Sequence, residues 1–347
     1  MSKIALVGDL HIGIKDDDLW VQNYQREFFD FMFAELEERG VKQIIQLGDW
    51  FDVRRGATQE TLMFQRTYLN GMLKGYDTHV LVGNHDMHLR ECIVPNTPYE
   101  VLSIVPDVTI YEKPTTVEFD GVKIDIIPWI CKENAVEIDE FIKNSTSEYC
   151  VGHFELNGFE FHRGQKATGC LDAGFLKKYK QVWSGHFHTQ SEAGNIKYLG
   201  TPYTLTLADA DDKRGFWLFD TETHEMEFIE NPNCWHTKLY FDAETFDPKT
   251  IPSYENRNVK IIVERRSSDK REISFDVVED RIAQIAHACQ TLDELDIKKD
   301  VAEDIKSIKD IDDYVAEYAD TLDESTEVKT KVKSIFSALR AEALENA

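Results

Sequence analysis

Five short apolar runs of the sequence each turn at a glycine and then present carboxylate, amide or imidazole side chains. In HVLVGNHD, residues 79–86, Asn84, His85 and Asp86 come directly after Gly83. Glycine allows strained backbone or close approach to a ligand, which suits a binding turn. Leaving His85 and Asp86 aside, the polar residues of the five turns are Asp9, His11, Asp49, Asn84, His153, His186 and His188.

These seven residues predict a site for two metal ions. Imidazole mixed with carboxylate oxygen suits manganese, iron or zinc. Seven ligands are too many for one tetrahedral ion, and a shared carboxylate could hold two ions ~4 Å apart. Two carboxylates against two divalent cations leave net positive charge, which would attract a phosphate and lower the pKa of bound water. Asp9 with His11, and His186 with His188, are i, i+2 pairs that would share a face in extended backbone.

His85 is a candidate general acid. A protonated imidazole near a bound phosphate can donate a proton to the leaving oxygen. Asp86 would either orient His85 or close the turn, and we slightly favour the turn. Taken singly, an aspartate at a strand end is usually a turn former, and a single histidine is usually a core or surface residue. The five recurrences of the pattern favour a common site.

The elements that must position these residues follow from the apolar pattern. The five runs alternate little between apolar and polar residues, as strands buried on both faces do. Helical periodicity predicts helices over residues 19–39, with Gly40 as C-terminal cap, and over 61–74. Strands alternating with helices indicate an α/β layered core, in which sites form beyond the strand ends. The five polar tips would therefore converge.

The predicted helix 61–74 has more apolar residues than one face needs. Leu62, Leu69 and Met72 lie on one stripe, whereas Met63, Phe64 and Tyr68 fall outside it. Because a second apolar face needs a partner, we expect a homodimer that pairs through a helix bundle.

Composition limits the class of protein. The 347 residues predict about two domains, and 42% apolar residues can bury a substantial core. Six scattered cysteines without a Cys-x-x-Cys pair indicate reduced thiols and a cytoplasmic protein. The N-terminus lacks the pattern of a signal peptide, and no apolar run reaches the roughly 18 residues of a membrane span. A net charge of −25 alone argues against nucleic acid, yet basic pairs remain at Arg54-Arg55 and Arg265-Arg266.

The order of the motifs is recognisable. D-x-H, G-D-x-x-D, G-N-H-D, a single H and G-H-x-H, spread over residues 9–188, resemble the calcineurin-like metallophosphoesterases, and within them the SbcD-like nucleases that process double-strand breaks. The stretches GDWFDVRRG, GFEFHRGQKATG and KKYKQVWSGHFHT resemble more particularly the recombination endonuclease subunits of T-even-type bacteriophages.

The resemblance implies a four-layer α/β/β/α sandwich with a small α+β cap domain and C-terminal helices, two Mn²⁺ ions (Mg²⁺ being a possible substitute), and phosphodiester hydrolysis in DNA. By motif, one ion would be held by Asp9, His11, Asp49 and His188, and the other by Asp49, Asn84, His153 and His186. His85 would be the catalytic acid. Asp52 stands where some cellular relatives have histidine, so its part in exonuclease positioning is open.

The resemblance also divides the chain. It implies a nuclease domain over residues 1–235, a DNA-binding cap over 236–295, and an acidic linker with C-terminal helices over 296–347. In the cap, KLYFD, NVKIIVERR and REISFD predict strands, and 276–289 predicts a helix through Val278, Ile282 and Cys289. The basic run 265–271 would contact phosphate or be a solvated hairpin tip. The helix 327–345 would dock on an SbcC-like coiled-coil ATPase subunit or on its own core.

The leading prediction is therefore a DNA exonuclease or endonuclease subunit that acts on double-stranded ends in recombination, repair and replication. Two alternatives stay open: an enzyme of the same fold for small phosphomonoesters or cyclic nucleotides, and a scaffold subunit without metals. The sequence does not distinguish exonuclease from endonuclease preference, the polarity of cleavage or the physiological metal.

Overall fold

A computed structural model of the chain describes residues 3–162, 165–266, 273–293 and 328–331. The chain forms two compact units. The first comprises Met1–Leu239, Pro248–Lys260 and Val278–Gln290, and the second Tyr240–Asp247, Ile261–Val277 and Thr291–Ala347. Of the predicted features, residues 267–271 of the basic run, residues 271–272 of REISFD, and residues 327 and 332–345 of the C-terminal helix lie outside the described part. The predicted domain boundaries stay predictions.

The described elements run through the chain in α/β order. The strands are β1 (Lys3–Val7), β2 (Gln43–Gln46), β3 (Asp77–Leu81), β4 (Met87–Leu89), β5 (Cys92–Asn96), β6 (Val108–Tyr111), β7 (Thr115–Phe119), β8 (Val122–Ile127), β9 (Tyr149–His153), β10 (Glu160–His162), β11 (Gln165–Lys166), β12 (Gln181–Gly185), β13 (Ser191–Ala193), β14 (Ile196–Tyr198), β15 (Gly215–Asp220), β16 (Met226–Glu230), β17 (His236–Asp242), β18 (Asn258–Arg265) and β19 (Ala288–Asp293). The helices are α1 (Ile14–Asp17), α2 (Leu19–Glu38), α3 (Gln59–Phe64), α4 (Asn70–Leu73), α5 (Thr97–Leu102), α6 (Ala135–Asn144) and α7 (Phe275–Ile285). Gln65–Leu69 is π-helical, and Ala173–Leu176, Leu207–Asp211 and Pro248–Tyr254 are 3₁₀-helical.

Two six-stranded sheets form the centre of the first unit. One has the order β16-β15-β1-β2-β3-β6, and its strands β1, β2, β3 and β6 are parallel. The other has the order β13-β14-β12-β9-β8-β7, and its strands β14, β12, β9 and β8 are parallel. The five glycine-ended runs of the sequence are β1, β2, β3, β9 and β12.

Both faces of these strands are buried, which explains the weak alternation of the sequence. In β1, Ile4 and Leu6 join a cluster between the sheets, whereas Ala5 and Val7 face a cluster that contains α2. In the second sheet, Tyr149 faces the inter-sheet cluster and Cys150 joins a cluster with α6. The layers are therefore α/β/β/α, which confirms the predicted fold class. Each fully buried Ile, Leu or Phe contributes roughly 1.5–3 kcal/mol to this core.

Helix α2 matches its prediction closely. It ends as the pattern indicates, because Gly40 adopts φ 67° while its N–H donates to the carbonyl of Glu37 and the N–H of Val41 donates to that of Leu36. This pair of bonds is a Schellman cap.

The stripe predicted for residues 61–74 is correct at Leu69, which is buried, and wrong at Leu62. Phe64 is fully buried, whereas Leu62 and Met63 are 39% and 43% exposed. The physical reason is the π-helical Gln65–Leu69, in which i→i+5 bonding changes the angle between the side chains before it, such as Leu62, and the buried Leu69 at its end. A period of 3.6 residues therefore assigns the wrong face.

After residue 235 the chain forms a three-stranded sheet in the order β17-β18-β19. KLYFD and NVKIIVERR fall on β17 and β18 as predicted. The predicted helix 276–289 is too long, since α7 ends at Ile285 and Cys289 lies on β19. The N–H of His287 donates to the carbonyl of Arg257 instead of continuing the helix. The predicted strand REISFD is also wrong over its described residues 273–276, because Ile273 and Ser274 lie in no strand and Phe275 begins α7. In the second unit, the Phe241 ring packs against those of Phe246 and Phe275.

Candidate metal centre

The turns after the five strands bring the seven predicted residues together. The fit is tight: a Cβ on Gly83 would lie 2.3 Å from the backbone nitrogen of Asp49. Neither i, i+2 pair lies within a strand, contrary to the extended backbone that we expected, and His11, Asp49 and His186 have φ values of 46°, 53° and 85°. Such left-handed conformations are costly for residues other than glycine and cluster at functional sites.

The seven residues fall into two groups. Cluster one consists of Asp9, His11 and His188, whose ligand atoms lie within 4.8 Å of one another. The Nε2 atom of His188 is 3.2 Å from that of His11 and 3.8 Å from Oδ2 of Asp9. The predicted pair Asp9 and His11 thus shares a cluster, whereas His186 and His188 belong to different ones.

Cluster two consists of Asp49, His153 and His186, together with the amide of Asn84. Oδ1 of Asn84 is 2.9 Å from Nε2 of His153 and 3.0 Å from Nδ1 of His186. Asp49 lies between the clusters, because its Oδ2 is 3.2 Å from Nε2 of His153 and 3.9 Å from Nε2 of His11. A carboxylate in this position can bridge two ions.

Hydrogen bonds turn the lone pairs of two histidines towards the clusters. Nδ1 of His153 donates to the carbonyl of Leu47 at 2.7 Å, and Nδ1 of His11 donates to Oδ1 of Asp52 at 2.9 Å. Each bond places the proton on Nδ1 and leaves Nε2 as an acceptor, as metal-binding histidines require.

The centre has a surplus of acceptor atoms, which fits a cation. Oδ1 of Asn84 faces the two ring nitrogens and Oδ2 of Asp49, and a reversed amide would be needed to donate to them. Reversal of the amide would give these acceptors a donor and let the amide oxygen accept from Nη2 of Arg54 at 2.9 Å, whereas a divalent ion would bind the acceptors directly. The donor set, neutral imidazole with carboxylate and amide oxygen, is also that of a manganese, iron or zinc site.

The charges within the centre are strongly coupled. Burial raises the pKa of Asp9 to about 6, and the nearby Asp49 carboxylate adds to that rise. Burial opposes ionisation of Asp49 too, yet the charge of His153 and its hydrogen bond, with His11, lower the pKa of Asp49. Although burial alone would lower it, the two carboxylates raise the pKa of His153 to about 9. A metal ion would displace that proton.

Two of the four ligand imidazoles, those of His186 and His188, have lowered pKa values. Burial, with the charge of His153, lowers the pKa of His186 to about 3. Burial, with the charge of His11, lowers the pKa of His188 to about 3. Both rings therefore already have the protonation state of metal ligands.

His85 lies outside clusters one and two and forms a third group with His11 and Asp52, whose ligand atoms also lie within 4.8 Å of one another. Its ring centroid is 4.9 Å from that of His11, and its Nδ1 donates to the carbonyl of Asp52 at 2.7 Å. Its backbone N–H donates to Oδ1 of Asp49 at 2.7 Å. Asp52 thus orients two histidines, His11 with its carboxylate and His85 with its carbonyl.

The buried Asp86 closes the turn, which is the alternative that the sequence slightly favours. Its carboxylate accepts from the backbone N–H groups of Gly83 at 2.9 Å, Phe51 at 3.0 Å and Trp50 at 3.4 Å. Burial, with the charge of Asp49, raises the pKa of Asp86 to about 7. The partner that orients the His85 ring is Asp52, not Asp86.

The four candidate DNA-binding arginines differ in their surroundings. Nη2 of Arg54 lies 2.9 Å from the amide of Asn84, at the centre, and Arg55 is exposed. Arg265 pairs with Asp242 at 2.9 Å and with Glu244 at 2.6 Å, so two carboxylates already neutralise its charge. The guanidinium of Arg266 lies 5.2 Å above the ring of Phe275.

Two residues at the centre escaped the sequence prediction. The buried Arg214 donates to the carbonyl of His188 and pairs with Asp209 at 3.2 Å, which fixes the turn that carries His188. The half-buried Trp129 has its ring centroid 5.0 Å from that of His186. Trp129 follows β8, which is parallel to β9, so its turn lies at the same edge of the sheet as the turn that follows β9. The signal in the sequence was an apolar strand that ends at this edge without a glycine. In the sequence Arg214 resembles any surface charge.

None of the helices among the described residues is long and apolar enough to cross a membrane.

Comparison with known proteins gives a relative and a family. Exonuclease subunit 1 of enterobacteria phage T4 is 40% identical over 329 residues, which is 94% of this chain and 94% of that protein. The model of the calcineurin-like phosphoesterase family matches residues 2–190. Among solved structures, an archaeal phosphodiesterase is 13% identical, with 66% of this chain and 99% of that one covered and a TM-score of 0.34. A protein of Thermotoga maritima is 12% identical, with 67% and 99% covered and a TM-score of 0.30.

The family match includes all seven residues of the two clusters and spans more than half of the chain. The resemblance that the motifs indicated is therefore confirmed, including its phage-type subgroup. The chain belongs to the calcineurin-like phosphoesterases, metal-dependent hydrolases of phosphate esters.

Proposed function

We propose that this protein is a manganese-dependent nuclease that hydrolyses phosphodiester bonds of DNA. The observation that carries the proposal is the pair of acceptor-rich clusters that share Asp49, with His85 alongside. The relative that matches nearly the whole chain is named an exonuclease subunit, which supports DNA over a small phosphoester as the substrate.

The seven ligand residues would bind the two ions as two sets that share Asp49. Asp9, His11 and His188 would hold one ion, Asn84, His153 and His186 would hold the other, and Asp49 would contact both. When bound, the two ions would supply a nucleophilic water at neutral pH and stabilise charge on the phosphate. Mg²⁺ is a possible substitute for Mn²⁺.

His85 would donate the proton to the leaving oxygen. Because its Nδ1–H is fixed on the carbonyl of Asp52, the ring presents Nε2 as the atom that holds and releases the proton. Arg54, beside Asn84, is the described arginine best placed to contact a substrate phosphate.

We further propose that the protein works in a two-protein complex that processes double-stranded DNA ends in the cytoplasm of the host cell. The name of its relative is that of a subunit, which supports a partner. We propose an SbcC-like coiled-coil ATPase as that partner, bound through the C-terminal helix 327–345, most of which lies outside the described residues. A second copy of this chain would pack on Leu62 and Met63.

An assay of the purified protein on linear duplex and hairpin DNA tests the proposal. Cleavage is expected with Mn²⁺ and should stop in EDTA, and metal analysis should find two ions per chain. Asp49→Asn should lose both ions and the activity, whereas the same change at the exposed Asp107 should alter neither. Full cleavage in EDTA would contradict the metal mechanism.

The same assay separates the two alternatives. Hydrolysis of a cyclic nucleotide or an aryl phosphomonoester without cleavage of DNA would favour a small-molecule enzyme. A protein that binds no metal would favour the scaffold.

A further inference from the structure

A pocket of about 280 Å³ opens beside cluster two. Its walls include the ligand His153, the side chains of Trp129, Ile130 and Leu171, and the polar groups of Glu155 and Cys170. A neighbouring cleft of about 580 Å³ shares Glu155 and Cys170 and includes His186 and His188. The small pocket therefore adjoins the place where the scissile phosphate would bind.

Trp129 lies in the wall of this pocket, and two hydrogen bonds hold its backbone. Its backbone N–H donates to the carbonyl of Val82 at 2.8 Å, and its own carbonyl accepts from Nδ2 of Asn134 at 2.9 Å. The indole centroid is 5.0 Å from that of His186 and 5.8 Å from that of His153, and the side chain is half-buried. A pre-positioned indole with accessible surface is the kind of platform on which nucleobases stack.

The charges on the wall decide what the pocket can bind. The carboxylate of Glu155 is 47% exposed and lies 3.8 Å from Nε2 of His186, with the thiol of Cys170 beside it. A carboxylate repels a second phosphate, but it accepts hydrogen bonds from the exocyclic amines of bases. The volume is near the roughly 300 Å³ lower bound of small-molecule sites. An occupant of about one nucleotide fits this combination of apolar walls and one acceptor.

We infer that Trp129 and Glu155 form a subsite for the nucleobase next to the scissile phosphate, in which Trp129 stacks on the base and Glu155 accepts from its exocyclic amine. The inference rests on the proposed nuclease function and specifies its substrate. A base that is paired and stacked in a duplex does not reach such a pocket. The enzyme therefore cuts where the bases have left the helix, at frayed ends, hairpin loops and single strands.

Single-stranded oligonucleotides that carry one abasic residue, with cleavage mapped at each bond in Mn²⁺, test the subsite. The wild-type protein should cut next to the abasic residue about tenfold more slowly than elsewhere in the same strand, since stacking is worth that much. Distant bonds in each molecule are the internal control. The cleavage map is informative for an exonuclease of either polarity and for an endonuclease. At the slow bond an exonuclease would accumulate a product that ends there, whereas an endonuclease would yield less of the fragment that ends there.

Variants assign the effect to residues. Trp129→Ala should slow cleavage next to normal bases about tenfold, chiefly through KM, and leave the abasic position unchanged, whereas Trp129→Phe should retain most of the base dependence. Trp217→Ala, at a half-buried indole on β15, is the matched control and should retain the full difference in cleavage rate between base-bearing and abasic positions. Glu155→Ala should remove any difference between thymine, which has no exocyclic amine, and the other bases.

The outcomes separate the subsite from the function on which it rests. Wild-type protein that cuts base-bearing and abasic positions alike would overturn the subsite while leaving the nuclease intact. Equal losses on both positions in Trp129→Ala and Trp129→Phe would also overturn it, since that is the effect of a structural role. Failure to cut any oligonucleotide would instead contradict the proposed function.

Discussion

At the scale of single residues, hydrogen-bonding partners determine what each histidine can do. His11, His85 and His153 each donate through Nδ1 to an oxygen of the protein, so each presents Nε2 to the centre. Asp52 supplies two of these oxygens. Its place beside two histidines gives it an orienting role, which the motif alone left open.

We predict that His85→Ala abolishes cleavage without loss of metal or DNA binding. The ring stands beside the clusters, so its removal takes away proton donation and leaves the ligands in place. Cleavage of DNA should fall about 10²–10⁴-fold, whereas the Mn²⁺ content and the Kd for DNA should match the parent. His88→Ala, at an exposed position three residues on, should cut normally. A His85→Ala variant that cuts at the parental rate would rule out the acid role.

At the scale of elements, parallel strands and their turns bring the site together. The strands β1, β2 and β3 end side by side in one sheet, and β9 and β12 do so in the other. Asp86 then ties the turn after β3 to the turn after β2 through two backbone donors, Trp50 and Phe51. The geometry of cluster two depends on that tie, because Asp49 and Asn84 come from these two turns.

We predict that Asp86→Asn destabilises the fold. An amide has one acceptor oxygen, so at least one of the three buried N–H groups would lose its partner. The free energy of unfolding, measured by urea denaturation in EDTA, should fall by about 1–3 kcal/mol. The same change at the exposed Asp107 should be close to neutral, because asparagine tolerates its left-handed backbone. An unchanged midpoint for Asp86→Asn would contradict the turn-closing role.

At the scale of the whole molecule, the exposed apolar side chains of α2 and α3 are the described features that bear on the proposed assembly. Leu62 and Met63 are adjacent on α3 and about 40% exposed, and Leu19 at the start of α2 is 65% exposed. Single exposed apolar residues are common, so only measurement in solution can connect them to assembly.

We predict that the protein is a homodimer and that Leu62→Glu combined with Met63→Glu makes it a monomer. Two charges in an apolar interface would lack partners, and their desolvation would oppose association. Light scattering at micromolar concentration should give twice the chain mass for the parent and the chain mass for the variant. Ile104→Glu, at a site 82% exposed, is the control and should stay dimeric. A parent of monomer mass would end this proposal.

We predict that deletion of residues 320–347 separates partner binding from catalysis. The apolar stripe of the predicted C-terminal helix lies beyond the acidic segment, so its removal should spare the nuclease unit. Basal Mn²⁺-dependent cleavage should survive, and co-purification with the ATPase and ATP-dependent stimulation should be lost. Phe336→Asp should act in the same way. A large fall in the Tm of the truncated chain without partner would indicate docking on its own core instead.

The sequence by itself determined which residues meet and which fold brings them together. Gly8, Gly48 and Gly83 mark strand ends, and parallel strands that end at one edge of a sheet must bring their turns together. Because that argument needs only chemical type and order along the chain, the seven residues could be named without coordinates. The cap of α2 at Gly40 was likewise local, since it depends on one residue that tolerates positive φ.

Only the tertiary structure decided the backbone of the ligand turns, which face of a helix is buried and which residues distant in sequence reach the centre. His186 and His188 share a motif but diverge, because positive φ at His186 breaks the extended backbone on which the pairing rule depends. The sequence placed Leu62 on the stripe and Phe64 outside it, whereas the structure buries Phe64 and exposes Leu62. The π-helical segment that follows them is not revealed by the periodicity of the sequence. Arg214 and Trp129 reach the centre through contacts distant in sequence. Local pattern carries no information about such contacts, because they depend on the packing of the whole fold.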